Sequence, residues 1–573
     1  MKLHRVFSIF AAGVIGQTSA ASSITSDSSF PGWKPCPAYT FPGEGEYEAE
    51  CVTYDAPLCY PGICETPANV NSTIKVFVKR LRAKGGNVDD APNVWMIPEI
   101  ECSEVEHSMV TLHKSLEGAV NVYTMDLRGN GRGTLLDCAS GQSTTSVSQS
   151  ESPDYLTDIP ACAQILQDQY GDLASFSITS AATDISYFIH KHTNGASTIV
   201  YGVSGGTMQV QRLMQLDPPS VNGYVLDGAM AYAVSPAKKT YWSDYDADFA
   251  SVGDAFMKLC AQDRDCASHF KATSLSATLH RLLQNFDSNP NSTCASLVSN
   301  SSEFGPAVVL QTTLGSLLLN SSTRSLIPPL VHRLNRCDYN DVNVLKVFFA
   351  TNNEQASLPN KAEAYVSGFY CFVEMFSEMW KTPSPTYDDL FTRARTLSMT
   401  DDMTSWYVSY YCLYSNERSP ACDEMGFDKY EANPLTYRRD KFWGKTATVS
   451  SHASVLQLHG RLDPKNPYKH GESFFKALDT SNKELIAFDY APMVTIETTP
   501  FGDDGKNCGM ELLLSFVRSN ADLKRVDKSC VGEMPAFNMK VAPELVSTYF
   551  GTEDVYDGVP ARAEHNGRVK PAF

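Results

Sequence analysis

Thr198-Ile-Val-Tyr-Gly-Val-Ser204-Gly-Gly-Thr-Met-Gln-Val-Gln-Arg-Leu-Met214 is the stretch on which the reading of this chain turns. Thr198 to Tyr201 is a short apolar run rich in β-branched residues and reads as a buried strand, whereas Met208 to Leu216 carries helical spacing. Between them Gly202-Val-Ser-Gly-Gly206 matches G-x-S-x-G, a sharp turn that presents a serine at the end of a strand. Glycines flank the serine because its backbone is strained and its neighbours approach closely. Ser204 is therefore the candidate nucleophile, and the Gly205 amide points to where an oxyanion would form.

Outward from this turn, similar apolar runs recur at Ile74 to Val78, Val94 to Ile97, Val120 to Met125 and Gly223 to Leu226. They are too continuous for amphipathic surface strands and read as parallel strands buried on both faces. Helix-spaced stretches such as Ser180 to His190 lie between them, the alternation expected of an α/β sheet covered by helices. That alternation stops near Ser235 and resumes near Ala447. The interval contains long, aromatic-rich, helix-spaced runs at Ser274 to Phe286 and Ala362 to Trp380. Strand-like runs return at Val455 to Leu458 and Glu484 to Phe488, followed by a helix from Gly509 to Arg518. The expected organisation is a sheet core from 21–235 and 446–532, a helical cap at 236–445, and an unassigned tail at 533–573.

Residues 1–20 have a basic start (Lys2, His4, Arg5), an apolar run from Val6 to Ile15 and a small-residue exit at Thr18-Ser-Ala20, the layout of a cleaved secretory signal. The run is shorter than the roughly 20 residues a membrane span requires. All sixteen cysteines follow it, an even count that fits oxidative pairing outside the cell. Local bridges are expected at Cys59/Cys64 and Cys260/Cys266, and Cys508/Cys530 flank the last core helix. Sequons at Asn71, Asn291, Asn300 and Asn320 would lie on the surface. Losing Lys2 and Arg5 with the signal takes the formal charge from −18 to −20. So acidic a surface repels phosphate backbones and anionic lipid, which argues against nucleic-acid and membrane partners. No cofactor motif is present, and oligomeric state is not legible.

A hydrolase built on such a serine turn carries its acid after a later strand and its histidine after the next, in the order Ser, Asp, His. Leu458-His459-Gly-Arg-Leu-Asp463-Pro464 places Asp463 in a turn just beyond a buried strand. Together with the serine turn, Asp126-Leu-Arg-Gly-Asn-Gly-Arg132 and the Cys508/Cys530 pair, it resembles the prolyl and tripeptidyl aminopeptidase group of α/β-hydrolases. The resemblance covers about residues 48–532 and is weakest in the cap. It implies an α/β-hydrolase fold and removal of one residue or a short peptide from a free N-terminus. It also implies a cap whose acidic side chains hold the substrate ammonium. Glu374 and Glu378, one helical turn apart, are the candidates for that role; the competing reading is a solvated helix face.

Two catalytic parts depart from the family pattern. The family places its histidine after the strand at Glu484 to Phe488, but this chain reads Asp489-Tyr-Ala-Pro-Met493-Val-Thr-Ile496, with no histidine between His470 and His565. Met493, or a neighbour, stands at the position, and a thioether cannot take the serine proton. A Gly-Gly-Pro-Gly-like loop that lends the second oxyanion amide is replaced by Pro98-Glu99-Ile100-Glu101-Cys102, which removes a donor and adds two carboxylates. His459 is the nearest substitute base by position and His470 the next; both also read as polar residues of a loop or helix surface. Cys102 is either a free thiol or half of a bridge.

Two functions remain open. One is a secreted serine aminopeptidase-like hydrolase, active on a peptide or small acyl substrate, with Ser204, Asp463 and Gly205 in place and a base that is His459 or unrecognised. The other is a non-catalytic member that keeps the fold to bind a peptide or ligand, or to act as a decoy for inhibitors of active relatives.

Overall fold

The computed structural model describes residues 30–36, 48–85, 87–99, 103–138, 155–299, 304–356, 367–503 and 505–559. The signal-like segment, Asn300 and Cys102 lie outside them. A nine-stranded sheet forms from β1 (Lys34–Pro35), β2 (Ala49–Pro57), β3 (Thr73–Leu81), β4 (Asn93–Ile97), β5 (Asn121–Met125), β6 (Thr198–Val203), β7 (Val221–Asp227), β8 (Ser454–Gly460) and β9 (Lys483–Phe488). Their order is β1-β2-β3-β5-β4-β6-β7-β8-β9. From β5 onward through β4, β6, β7, β8 and β9 every pairing is parallel, and β1, β2 and β3 join antiparallel at one side.

The continuous apolar runs are explained by what covers them. β4, β5, β6 and β8 are buried at every position. Within β4, Trp95 and Ile97 join one core while Val94 and Met96 join another on the opposite face. The first core includes side chains of α2 (Tyr155–Tyr170), α3 (Ile178–His192) and α4 (Gly206–Leu216); the second includes α1 (Ser103–Ser115) and the final core helix at Cys508–Arg518. A strand with helices on both sides has no wet face, so alternation gives way to an apolar run. β2 went unrecognised in the sequence: it alternates buried and less buried positions, with Glu50 and Asp55 outward, inside a Cys/Pro-rich stretch that reads as loop.

Between β7 and β8 the chain is helical. α5 (Tyr245–Leu259), α6 (Arg264–His269), α7 (Leu275–Ser288), α8 (Thr293–Val298), α9 (Pro306–Leu319), α10 (Ile327–Arg336) and α11 (Tyr339–Ala356) come first. α12 (Gly368–Glu378), α13 (Tyr387–Ala394), α14 (Tyr407–Ser415) and α15 (Pro420–Glu424) follow. The earlier helices surround a core of their own, whereas α12 and α14 pack on the first sheet face through Tyr370, Phe376 and Tyr411. Ser367 caps α12 by accepting from the Tyr370 amide, and its own amide donates to Asn130 Oδ1 at 2.7 Å. The Asp126 to Arg132 loop thereby fixes where α12 begins.

The C-terminal residues leave the sheet and return to the helices. Met539, Val541, Tyr549, Phe550 and Tyr556 join the core of α5, α7, α9, α10 and α11. Arg333, fully buried on α10, donates to the carbonyls of Val555 (2.6 Å), Asp554 (3.0 Å) and Gly558 (2.9 Å). Among the described residues, seven disulfides bridge separations of 5 to 43 positions. The expected Cys59–Cys64, Cys260–Cys266 and Cys508–Cys530 bridges are among them. No helix among the described residues is long and apolar enough to cross a membrane.

Candidate active site

Ser204 follows directly on β6 with φ +49°, a left-handed conformation that costs a non-glycine residue on the order of 1–3 kcal/mol. Its amide donates to Asp227 O at the end of β7 (2.9 Å), and its carbonyl accepts from the Thr207 amide (3.0 Å) and hydroxyl (2.6 Å). The glycines answer to specific contacts. A Cβ on Gly206 would lie 2.4 Å from Pro98 O, and one on Gly202 would lie 2.8 Å from Gly206 O. G-x-S-x-G is thus the spacing that lets α4 start against the loop after β4.

Asp463 sits in the turn after β8, fully buried. Its Oδ1 accepts from the Asn466 amide at 2.9 Å, and its Oδ2 has no protein partner. Burial, reinforced by the Asp227 and Glu99 carboxylates and only partly offset by main-chain donors, pushes its carboxyl up to about 8. It is therefore largely neutral at pH 7. Asn466 is a site residue that the sequence reading missed. Its Nδ2 donates to Ser204 Oγ at 2.9 Å.

His459 is directed elsewhere. Its Nε2 donates to the Asn466 carbonyl at 2.7 Å, and its Nδ1 lies where a Cβ on Gly471 would be only 2.3 Å away. Burial lowers its pKa to about 4, so it stays neutral. It braces the back of the Asn466 turn and is not among the partners of Ser204. His470, on α16 (Tyr468–Ala477), reaches Asp248 of α5 at 2.6 Å. Neither histidine takes the position of a base.

Among the described residues after β9 there is no imidazole either. Met493 is half-buried and its carbonyl accepts from Thr498 Oγ1. Val494 is left-handed (φ +57°), and the amides of Thr495 and Ile496 donate to the two oxygens of Asp227 at 3.0 and 3.2 Å. Tyr201 donates to the same carboxylate at 2.9 Å. The segment where the family pattern puts its histidine is thus anchored to the sheet end by a buried carboxylate.

Around Gly205 a carboxylate side chain and a lysine come together. A Cβ on Gly205 would lie 2.9 Å from Glu99 Cγ, so the Glu99 side chain packs against the proposed donor. Ile100, Glu101 and Cys102 fall outside the described residues. Burial disfavours the charge of Lys465, yet the carboxylates of Glu99, Asp401, Asp463 and Asp402 outweigh it and hold the ammonium above its ordinary value. Tyr245 donates to Asp401 at 2.7 Å, and Tyr407 to Asp402. One cation and several carboxylates from both the sheet core and the helices between β7 and β8 therefore meet beside the serine turn.

Glu374 and Glu378 do not lie on a solvated face. Glu378 is 2% exposed and accepts from Tyr437 at 3.1 Å. Glu374 accepts from Tyr370 at 2.6 Å, and burial, partly offset by that bond, raises its carboxyl to about 7. Gln209 Nε2 of α4 also donates to Glu374 Oε2 at 3.5 Å, so the half-buried Glu374 and the buried Glu378 both face protein partners.

Strand order, the serine turn after the sixth strand and the acid turn after the eighth decide the architecture. The fold is that of the α/β-hydrolases. No family model and no curated protein matches the chain. Among solved structures, it is similar to the proline iminopeptidase of Mycobacterium smegmatis at 9% identity and TM-score 0.29, over 82% of this chain and 98% of that one. It is also similar to mouse alpha/beta hydrolase domain-containing protein 10 at 10% identity and TM-score 0.27, over 79% and 96%. A third is acetyl xylan esterase 1 of Thermoanaerobacterium, at 9% and 0.28, over 80% and 81%.

Proposed function

We propose that this chain is a secreted, aminopeptidase-like α/β-hydrolase relative that binds a peptide or small acyl ligand and turns it over weakly or not at all. The observation that carries the reading is the bond from Asn466 Nδ2 to Ser204 Oγ. A side-chain amide cannot accept the hydroxyl proton, so the serine keeps an ordinary alcohol pKa and remains a poor nucleophile. Asp463, largely neutral, offers no charge to stabilise an imidazolium, and Glu99 stands against the Gly205 donor. The helices at 236–445 would act as a cap, with Glu374 and Glu378 bracing it. Disulfides throughout the chain support extracellular residence.

A serine-directed fluorophosphonate tests the reading. The purified protein is expected to remain unlabelled; stoichiometric labelling lost in Ser204→Ala would instead establish a working hydrolase. That second reading has the retained left-handed serine turn in its favour, because strain of this kind persists only where the surroundings hold it.

A further inference from the structure

The acidic protein carries a neutral groove far along the chain from its serine turn. A cavity of about 740 Å³ lies between α7, the α7–α8 turn and the end of α10. Asn285, Asn289, Asn291 and Asn335 line it, above Leu282 and Phe286. The four asparagines are exposed and the two apolar side chains are buried. The Cys294–Cys337 disulfide ties the two walls together. The volume falls within the roughly 300–1,000 Å³ that small organic ligands occupy.

Carboxamides match one ligand chemistry well. Each presents two N–H donors and a carbonyl acceptor without charge, so a ring of them complements hydroxyls and acetamido groups that are themselves both donors and acceptors. Asn291 differs from the other three: Asn291-Ser292-Thr293 is an N-x-[ST] acceptor site, in an exposed turn held by the Ser292 amide on Asn289 O at 3.1 Å. The residue to which a sugar would be attached is itself part of the groove wall.

We propose that Asn291 carries an N-linked glycan whose first N-acetylglucosamine residues lie in this groove. Attachment makes the contact intramolecular, with an effective concentration of about millimolar, so a groove of only about millimolar affinity for free sugar would still be filled much of the time. The inference rests on the passage through the secretory pathway proposed above, and recovery of the protein from culture medium tests that step separately.

The full chain with its leader, secreted from a eukaryotic host, should yield an Asn291 glycopeptide in most molecules. Peptide-N-glycosidase should release that glycan from native protein about tenfold faster in the Asn285→Ala/Asn335→Ala variant than in the parent, because the groove no longer shelters the linkage. Both substitutions fall on exposed side chains, and equal release rates after denaturation confirm that the difference belongs to the fold. Secreted protein with an unmodified Asn291 overturns the proposal. So does equal native release from parent and variant.

Discussion

The Asn466 side chain donates to the Ser204 hydroxyl across 2.9 Å while its main chain is gripped from behind, amide to Asp463 and carbonyl to His459. Three bonds fix one residue where a hydrolase would need a proton acceptor. Asn466→Ala removes only the bond to the serine. It should cost about 1 kcal/mol in urea unfolding, and Ser204 should still resist the fluorophosphonate, since losing a donor does not supply a base. Labelling that appears in this variant would mean that the amide suppressed a base already present.

Restoring turnover needs several changes at once. Met493→His alone should produce none, because the Asn466 amide still occupies the hydroxyl and Glu99 still faces Gly205. Met493→His combined with Asn466→Ala and a Gly-Gly-Pro-Gly loop at 99–102 should raise hydrolysis of an aminoacyl arylamide by about 10²-fold or more. A folded combined variant without gain would show that the histidine belongs elsewhere.

Asp463 should leave a mark on the pH dependence of stability. Its folded pKa of about 8 lies above the ordinary 3.8, so its contribution is fully present below about pH 4 and is lost as pH rises towards 8. Asp463→Asn cannot ionise. Between about pH 4 and 8 the parent should lose on the order of 5 kcal/mol relative to this variant, read as urea midpoints at several pH values. Parallel curves would mean that the folded carboxyl ionises normally.

Asp248 gives the opposite sign. Hydrogen bonds and charge from His470 and Lys469 outweigh burial and hold its carboxyl below 3.8, so the bridge between α5 and α16 stabilises at neutral pH and fades as pH falls through the folded value. Asp248→Asn should lower stability by about 1 kcal/mol at pH 7, and by progressively less as pH falls below the ordinary carboxylate range. Faster hydrogen exchange confined to α5 and α16 would locate the loss.

Arg333→Met should release the C-terminal segment. Three carbonyls lose their donor and one of the two arginines on Asp341 is gone, a change on the order of 3 kcal/mol. Limited proteolysis should then cut within 546–558 at protease levels that leave the parent intact.

Local signals were legible and cooperative ones were not. Ser204 could be read because strand, turn and helix are contiguous, and β4, β6 and β8 because burial on both faces writes an unbroken apolar run. Asp463 followed from the same logic. Asn466 stayed hidden because its partner lies 262 positions away, and only its place three residues after the turn aspartate hinted at a role. The tail kept no period, since its apolar residues are placed by distant partners, Tyr549 by Phe348 of α11 and Tyr556 by His269 of α6. Glu374 and Glu378 read either as cap carboxylates for a substrate ammonium or as a solvated face, because nothing local reveals how deeply α12 is buried.

The return of residues 539–556 to the helices of α5 to α11 has a consequence for biosynthesis. A ribosome makes the middle of this chain long before its end, and those helices cannot complete their core until Phe550 and Tyr556 emerge. Until then they would present an open apolar face. A stop after the sheet is finished would leave the serine turn formed and the neighbouring helices unsealed, so residues 539–556 report on whether the helical part has closed.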